Sequence, residues 1–386
     1  MVQASLLSKD IPAPARSAEP RRLRLLVLAS KARGIAPNQR FRLEQWAPRL
    51  AHHEGIDLDF APFESPRLTE LLYQNGRRAE KAAWVVYDFV RRLAPVVRAR
   101  SYDAAVVVRE AALLGPAVYE RLLGLEGVPM FYDIDDAIWL SAHQSAASKA
   151  NGVFSRLHFY GKTATICRLA SGVLAGNEYL AAYARRRNGN VFVVPTSIEL
   201  ERYPIIPESS DPRFVVVWSG SLHTLAHFEH AREALERLAA RRPIVVKVIC
   251  NRPPDRPIAG AENVFVPWSE HGEAEAVGDG HVGIMPLPDD EFARGKCGLK
   301  ALQFMATGRP VVASPVGMNS DLLGAGDNGI LASTPDEWVA ALERLATSPE
   351  LRRAMGAAAR RTIEERYSAE VVSKLFARAV RTTLEA

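Results

Sequence analysis

HVGIMPLPDDEFARGKCGLKALQFMATGRPVVASPVG, residues 281–317, reads as strand, loop, helix, strand. The apolar run from His281 to Leu287 leads through an acidic loop, Asp289 to Glu291, to Gly295-Lys296-Cys297-Gly298. A helix starts near Leu299, because Leu299, Leu302, Gln303, Met305 and Ala306 share one face at helical period. Gly308-Arg309-Pro310 stops that helix, and Pro310 to Ser314 is the next strand. Two strands joined through a helix form a βαβ unit with parallel strands. The glycine-rich turn at Gly298 opens the helix with unpaired backbone N–H groups at its positive end, and Lys296 and Lys300 add cations. That combination suits a diphosphate; the plainer reading is a tight turn beside solvated lysines.

Working outward, 386 residues at 48% hydrophobic and 24% charged provide two substantial cores in an ordinary globular composition. Cys167, Cys250 and Cys297 lack CxxC or Cys/His metal spacing and fit a reducing, cytoplasmic setting. No run of about 18 apolar residues suggests a membrane span. Residues 1–20, with Pro12, Pro14 and Pro20, read as a flexible leader. The net charge of +5 is mild, but Arg77, Arg78, Lys81, Arg91, Arg92, Arg98 and Arg100 crowd one helical span. A solvated helix face explains them, and so does an anionic partner such as the inner face of a membrane, contacted peripherally. No aromatic-interleaved basic stripe supports nucleic acid as a partner.

Strands and helices alternate along the chain, which predicts parallel sheets. In the first half the strands are Arg24–Ala29, Ile56–Ala61, Ala104–Val108, Pro129–Ile134, Gly172–Ala175 and Val191–Val194. Helices are expected over Arg40–Glu54, Thr69–Arg98, Leu113–Leu123, Ser155–Ala170 and Glu178–Arg187. Arg40 and Arg42 open the first helix, where cations oppose the dipole, and are candidates for holding an anionic acceptor. The fourth strand runs into Asp133, Asp135 and Asp136, at the carboxyl end where open α/β sheets bind ligands. Asp136 is also placed to cap a following helix.

The proline-rich segment 200–212 reads as a linker, giving an N-terminal domain over 21–205 and a C-terminal domain over 212–367. The second domain opens with strand Phe214–Trp218, which delivers the small-residue loop Gly220-Ser221. Helix Ala226–Ala240 and strands Ile244–Cys250 and Asn263–Pro267 precede the central unit, and helices Glu337–Ala346 and Pro349–Tyr367 follow it. The last helix, in 368–386, has an apolar stripe for packing onto other structure. Two GxGxxG matches, Gly278–Gly283 and Gly324–Gly329, lack a preceding strand and following helix, so no dinucleotide site is expected.

The segments GIMPLPDDEFARGKCGLKALQFMATGRPVVASPVG (283–317), FYDIDDAIW (131–139), GNEYLAAYARR (176–186), VVPTSIELERY (193–203) and VVVWSGSL (215–222) occur in order. Together they resemble nucleotide-sugar-dependent glycosyltransferases of family four, over roughly Arg24 to the C-terminus. The resemblance implies two Rossmann-like domains facing across a cleft, the GT-B fold, with the C-terminal helix returning to the N-terminal domain. It further implies transfer from a nucleotide-sugar donor held by the second domain to an acceptor hydroxyl, usually with retention, and neither a metal nor any other cofactor is required. Acceptors of such enzymes are glycans, lipid-linked groups or small molecules.

The family's Glu-x7-Glu pair aligns with Gly295 and Gln303, and a Gln amide is able to hydrogen-bond ribose hydroxyls. Glu291 or Asp290, in the longer preceding loop, is the candidate to replace the missing acid. The family's basic pair after the first strand of the second domain aligns with Ser221 and with Ala226 or His227. Donor binding is therefore expected from Gly220, Ser221, Glu291, Arg294, Lys296, Gly298, Leu299, Lys300 and Gln303. Asp135, at the place of a family histidine, and Asp133 are the expected catalytic acids. The D-x-D spelling of Asp133-Ile134-Asp135 leaves metal binding as a further reading. A nucleotide-sugar epimerase and a non-catalytic nucleotide-sugar-binding protein are the alternative functions.

Overall fold

The computed structural model describes residues 21–386 except 73, 75, 114, 141–158, 160 and 325; the expected leader and the first part of the Ser155–Ala170 helix lie outside the described residues. The strands are β1 (Leu23–Ala29), β2 (Ile56–Pro62), β3 (Ala104–Val108), β4 (Met130–Ile134), β5 (Gly172–Ala175), β6 (Val191–Val193), β7 (Phe214–Ser219), β8 (Ile244–Cys250), β9 (Glu262–Pro267), β10 (Val282–Met285), β11 (Val311–Ala313) and β12 (Gly329–Leu331). They form two parallel sheets, ordered β2-β1-β3-β4-β5-β6 and β12-β11-β10-β7-β8-β9. Runs such as AAVVV in β3 and IVVKVIC in β8 are buried along their whole length, as strands covered on both faces require. The second order is that of the doubly wound dinucleotide-binding fold, and its direction reverses between β7 and β10.

The carboxyl ends of the two sheets face each other. One apolar cluster continues from Phe41 and Ile134 in the first domain through Tyr203 to Leu302 and Met305 in the second. The last helix, Ala369–Glu385, returns to the first sheet: Ile198 bridges to Ser368, Phe376 lies 5.7 Å from Trp46, and Val372 and Val380 join the cluster of Leu25 and Val27.

Several helices differ from the periodicity. The expected Thr69–Arg98 helix is two, Pro66–Leu72 and Arg78–Arg98, because Gly76 and Arg77 both take positive φ (74° and 51°). The helix after β3 starts only at Val118, past Gly115-Pro116. Ala226–Ala240 breaks into Leu225–Phe228, Glu229–Ala231 and Arg232–Ala239. Glu273–Gly278, Glu291–Arg294 and Met318–Leu323 are further short helices, and β12 an additional edge strand.

Glu273 joins the two halves. Its buried carboxylate accepts from Arg40 (2.8 Å) of the first domain, Tyr203 (2.8 Å), Trp268 Nε1 (2.8 Å) and Lys300 (3.3 Å). Burial alone would raise this carboxyl, but the Lys300 charge, the Trp268 N–H and the Arg40 charge outweigh it and hold it at about 2. A carboxyl depressed in the folded state stabilises the fold above its unfolded value near 4.5, and that contribution fades as pH falls toward 2. Urea unfolding is expected to show wild type more stable than Glu273→Gln by roughly 3 kcal/mol at neutral pH, with the gap shrinking between about pH 4.5 and 2. A gap independent of pH would remove Glu273 from this linkage.

Candidate functional site

The reversal point of the second sheet places the ends of β7 and β10 side by side, and both lead into candidate donor residues. After β10 the chain passes the helix Glu291–Arg294, capped by Asp290 Oδ1 on the Ala293 N–H (2.7 Å), to Gly298 at φ 67°. Glycine tolerates that left-handed backbone, and it starts helix Leu299–Ala306 with no side-chain cap. The N–H groups of Leu299, Lys300 and Ala301 have no acceptor among the described residues. An anion is the natural partner for such a terminus.

Facing it are the ends of β3, β4 and β5. Asn177, after β5, caps helix Glu178–Arg185 through Oδ1 and donates from Nδ2 to the carbonyls of Gly295 (3.2 Å) and Lys296 (3.0 Å). Cys297 Sγ contacts the Asp135 carbonyl (3.1 Å) and occupies the space beside Gly176. Gly295 lies against Ala137: a Cβ there would be 2.6 Å from Ala137 Cβ and 2.9 Å from its N. The position aligned with a family glutamate therefore has no room for one. Asn177, missed in the sequence reading, was signalled by Gly-Asn before an amphipathic helix.

The three acids after β4 have separate surroundings. Asp133 is fully buried and receives three hydrogen bonds from Arg42, at 2.6, 2.9 and 3.1 Å. Burial pushes this carboxyl up and the Arg42 guanidinium opposes it. The expected catalytic Asp133 and acceptor-binding Arg42 are thus corrected to one internal ion pair that presents no charge to a substrate. Asp135 pairs with Arg109 (2.5 and 2.9 Å). Burial would raise the Asp135 carboxyl, but the charge and hydrogen bonds of Arg109 outweigh it and hold it below the usual value. Each carboxylate of the D-x-D spelling is therefore occupied by an arginine.

Asp136 caps no helix among the described residues. Burial pushes its carboxyl up, and the charges of Lys296, across the cleft, and then Arg109 oppose that. Arg109 Nη2 is 3.7 Å from Asp136, and Arg109 holds φ 60°, a left-handed conformation that is strained for a non-glycine residue. Asp136 was expected only as one of three acids at this strand end or as a helix cap, and Arg109 was not among the expected site residues. A positive φ at an arginine carries no sequence signal.

The other expected donor residues divide similarly. Lys296 makes no ion pair among the described residues and lies 4.3 Å over the Phe292 ring. His227 sits near enough to feel it: burial, then the Lys296 charge, push the imidazole down to about 4, so it is neutral at physiological pH. Lys300 is turned away from the helix terminus, to Glu273 and to Gln303 Oε1 (2.9 Å). Gln303 is fully buried with Nε2 donating to Tyr203 (2.5 Å), so its amide is spent between the domains instead of being presented to a ribose. Arg294 pairs with Asp289 (2.8 Å), and Glu291 is exposed at the start of its short helix. Gly220 is filled against by Trp218 and Thr224, and Ser221 caps the following 3-10 turn.

Arg40, the other expected acceptor residue, is tied to Glu273 and Glu270 (3.3 Å). It borders a cleft of about 670 Å³ whose wall includes Arg33, Arg49, His52, Glu199 and Glu270. None of the expected donor residues lines that cleft.

Residues 213–348 match the family model described as glycosyl transferases group 1. That match spans most of the second domain. Among solved structures, sucrose-phosphate synthase from Thermosynechococcus elongatus superposes at TM-score 0.65 and 16% identity, over 95% of this chain and 100% of that one. Anabaena HepE in complex with UDP and glucose gives 0.60 at 13% identity, over 94% and 100%. The lipopolysaccharide outer core galactosyltransferase WaaB gives 0.60 at 14% identity, over 93% and 99%. These likenesses establish the GT-B architecture for the two domains. Comparison with curated proteins finds no match.

Within that architecture the Arg42–Asp133 pair is a structural element. Asp133→Asn leaves a buried guanidinium uncompensated and is expected to lower unfolding free energy by about 3–5 kcal/mol. The double variant Arg42→Met/Asp133→Leu is expected to lose less, as read by urea denaturation; equal losses would break this assignment.

Proposed function

We propose that the protein transfers a glycosyl group, a hexose in the first instance, from a nucleotide-sugar donor to an acceptor hydroxyl, with retention at the anomeric carbon. One observation carries the reading: a helix terminus with three unpaired N–H groups, at the reversal point of the domain that matches the group 1 glycosyltransferase family, with Lys296 beside it and Asp136 opposite. UDP is the first nucleotide to test, since HepE is known in complex with UDP-glucose.

In this reading the diphosphate rests on the N–H groups of Leu299, Lys300 and Ala301, with Lys296 supplying the side-chain cation. When the bond from the anomeric carbon to the diphosphate oxygen breaks, its electron pair goes to that oxygen, and these fixed donors stabilise the charge where it develops. The acceptor oxygen bonds to the anomeric carbon from the same face, and its proton leaves to the departing phosphate oxygen. Asp136 faces the sugar and opposes the positive charge developing at the anomeric carbon. Asp135 acts one step back, holding Arg109 beside Asp136. The donor is bound without a metal, and the acceptor enters from the first domain.

A thermal-shift series with UDP, GDP, ADP and dTDP sugars identifies the donor, because a ligand bound only by the native state raises the melting temperature. With that donor, Lys296→Ala is expected to weaken binding by about 1.5–3 kcal/mol in calorimetry. Unchanged affinity would return Lys296 to the surface.

Asp136→Asn is expected to slow single-turnover transfer by roughly 10²–10⁴-fold while donor affinity stays near wild type, the pattern of a group acting in the transition state. Wild-type turnover in that variant together with loss in Asp135→Asn would return the role to Asp135. Release of free nucleotide and an altered sugar without acceptor would mark the epimerase instead.

A further inference from the structure

Helix Arg78–Arg98 packs Val85, Phe89 and Val96 inward, yet it also buries two charged side chains and leaves an apolar stripe outside. On its inward side Asp88 is buried, accepting from the Ser65 N–H (2.8 Å) and hydroxyl (2.9 Å), and Arg92 is buried, donating to the carbonyls of Ala29 and Ala61 (2.6 Å each). On its outward side stand Val86, Val90, Leu93 and Val97, between 41% and 64% exposed. Their spacing of four, three and four residues sets them within about 60° of arc, and no charged side chain interrupts that arc from Ala79 to Val97. The neighbouring helix Val118–Leu125, tied to the first by Tyr119 on the Phe89 carbonyl (2.6 Å), turns Val118 and Leu125 outward at 44% and 80% exposure.

The charge of this element is as uneven as its polarity. Residues 77–101 hold seven basic and two acidic side chains, an excess equal to the whole chain's net charge of +5. Arg78 and Arg98 are exposed and make no ion pair among the described residues, whereas Lys81 donates to the Gln74 carbonyl, Glu80 is shared by Arg67 and Arg77, Arg91 pairs with the buried Asp88, Arg92 is buried and Arg100 pairs with Glu126. An apolar stripe with cations at both ends fits the interface of an anionic bilayer, where the aliphatic groups enter the headgroup region and the cations meet lipid phosphate. No helix among the described residues is long and apolar enough to cross a membrane.

We infer that the outward face of helix Arg78–Arg98, extended by Val118 and Leu125, docks the protein peripherally on an anionic phospholipid surface. The inference is independent of the transferase reading, since docking is measured without donor or acceptor.

The test is flotation of the full chain with vesicles of phosphatidylcholine alone and with about a quarter phosphatidylglycerol. Wild type is expected to float with the anionic vesicles about tenfold better than with the neutral ones, and to dissociate at about 0.5 M salt. Val90→Glu and, separately, Arg78→Glu/Arg98→Glu are each expected to cut anionic flotation about tenfold with melting temperature unchanged, since these side chains are exposed and hold no part of the core. Equal flotation on both vesicles, or wild-type flotation of Val90→Glu, overturns the inference. So does a dimer in sedimentation velocity that Val90→Glu dissociates while wild type ignores both vesicles, which assigns the stripe to a second copy of the chain.

Discussion

The whole site depends on how closely two loop backbones approach across the cleft. Gly295 against Ala137 and Gly176 over Cys297 permit it, because any side chain at either glycine would occupy space already filled. Asn177 then fixes the register, one amide reaching consecutive carbonyls of the opposing domain while its oxygen caps its own helix. Each hydrogen bond contributes only about 0.5–1.5 kcal/mol, but the geometry they impose is specific. It sets Lys296 and the start of helix Leu299–Ala306 against the loop carrying Asp135 and Asp136.

Around that approach most charge is already matched. Arg42 holds Asp133, Arg109 holds Asp135, and Arg40 with Lys300 holds Glu273. These pairs are buried or partly buried, where an unmatched charge costs several kcal/mol, so none of them is free to follow a substrate. What remains uncommitted is small: the terminal N–H groups, Lys296, the neutral His227, and Asp136 with its carboxyl raised by burial. A site that must meet a negatively charged diphosphate and then a transient positive centre needs little beyond this, provided the surrounding pairs keep those few groups in place.

The central strands were legible because both their faces are covered, so β3 and β8 are almost unbroken apolar runs; the edge strands β2 and β9 alternate with Asp57, Asp59 and Glu262, and the three-residue edge strand β12 was too short to show. The glycine turn before Leu299 was legible on equally local grounds. Helices of four to six residues, such as Glu291–Arg294 and Met318–Leu323, complete too few turns to show a period. Partner choice was illegible: Arg42 and Asp133 are 91 residues apart, and nothing local distinguishes an aspartate answering an arginine from one answering a substrate. Gln303 failed for a related reason, since its amide chemistry fits a ribose and Tyr203 equally well, and only packing places it beside Tyr203.

Helix Arg78–Arg98 shows how the same demand shapes the outer surface. Where β1 and β2 end and turn toward the cleft, Arg92 reaches the carbonyl of Ala61 and that of Ala29, which also accepts from the Phe63 N–H. Asp88 meets the matching need of the Ser65 N–H and hydroxyl. Inward helix positions that would ordinarily be apolar are thus partly given to polar groups closing strand ends. That accounts for polarity inside, but it does not call for valine outside: serine, lysine or glutamate at 86, 90 and 97 would leave every one of these bonds intact. Apolar side chains kept where the fold makes no demand for them, with the unpaired Arg78 and Arg98 at the two ends of the helix, therefore answer to something the helix meets from outside.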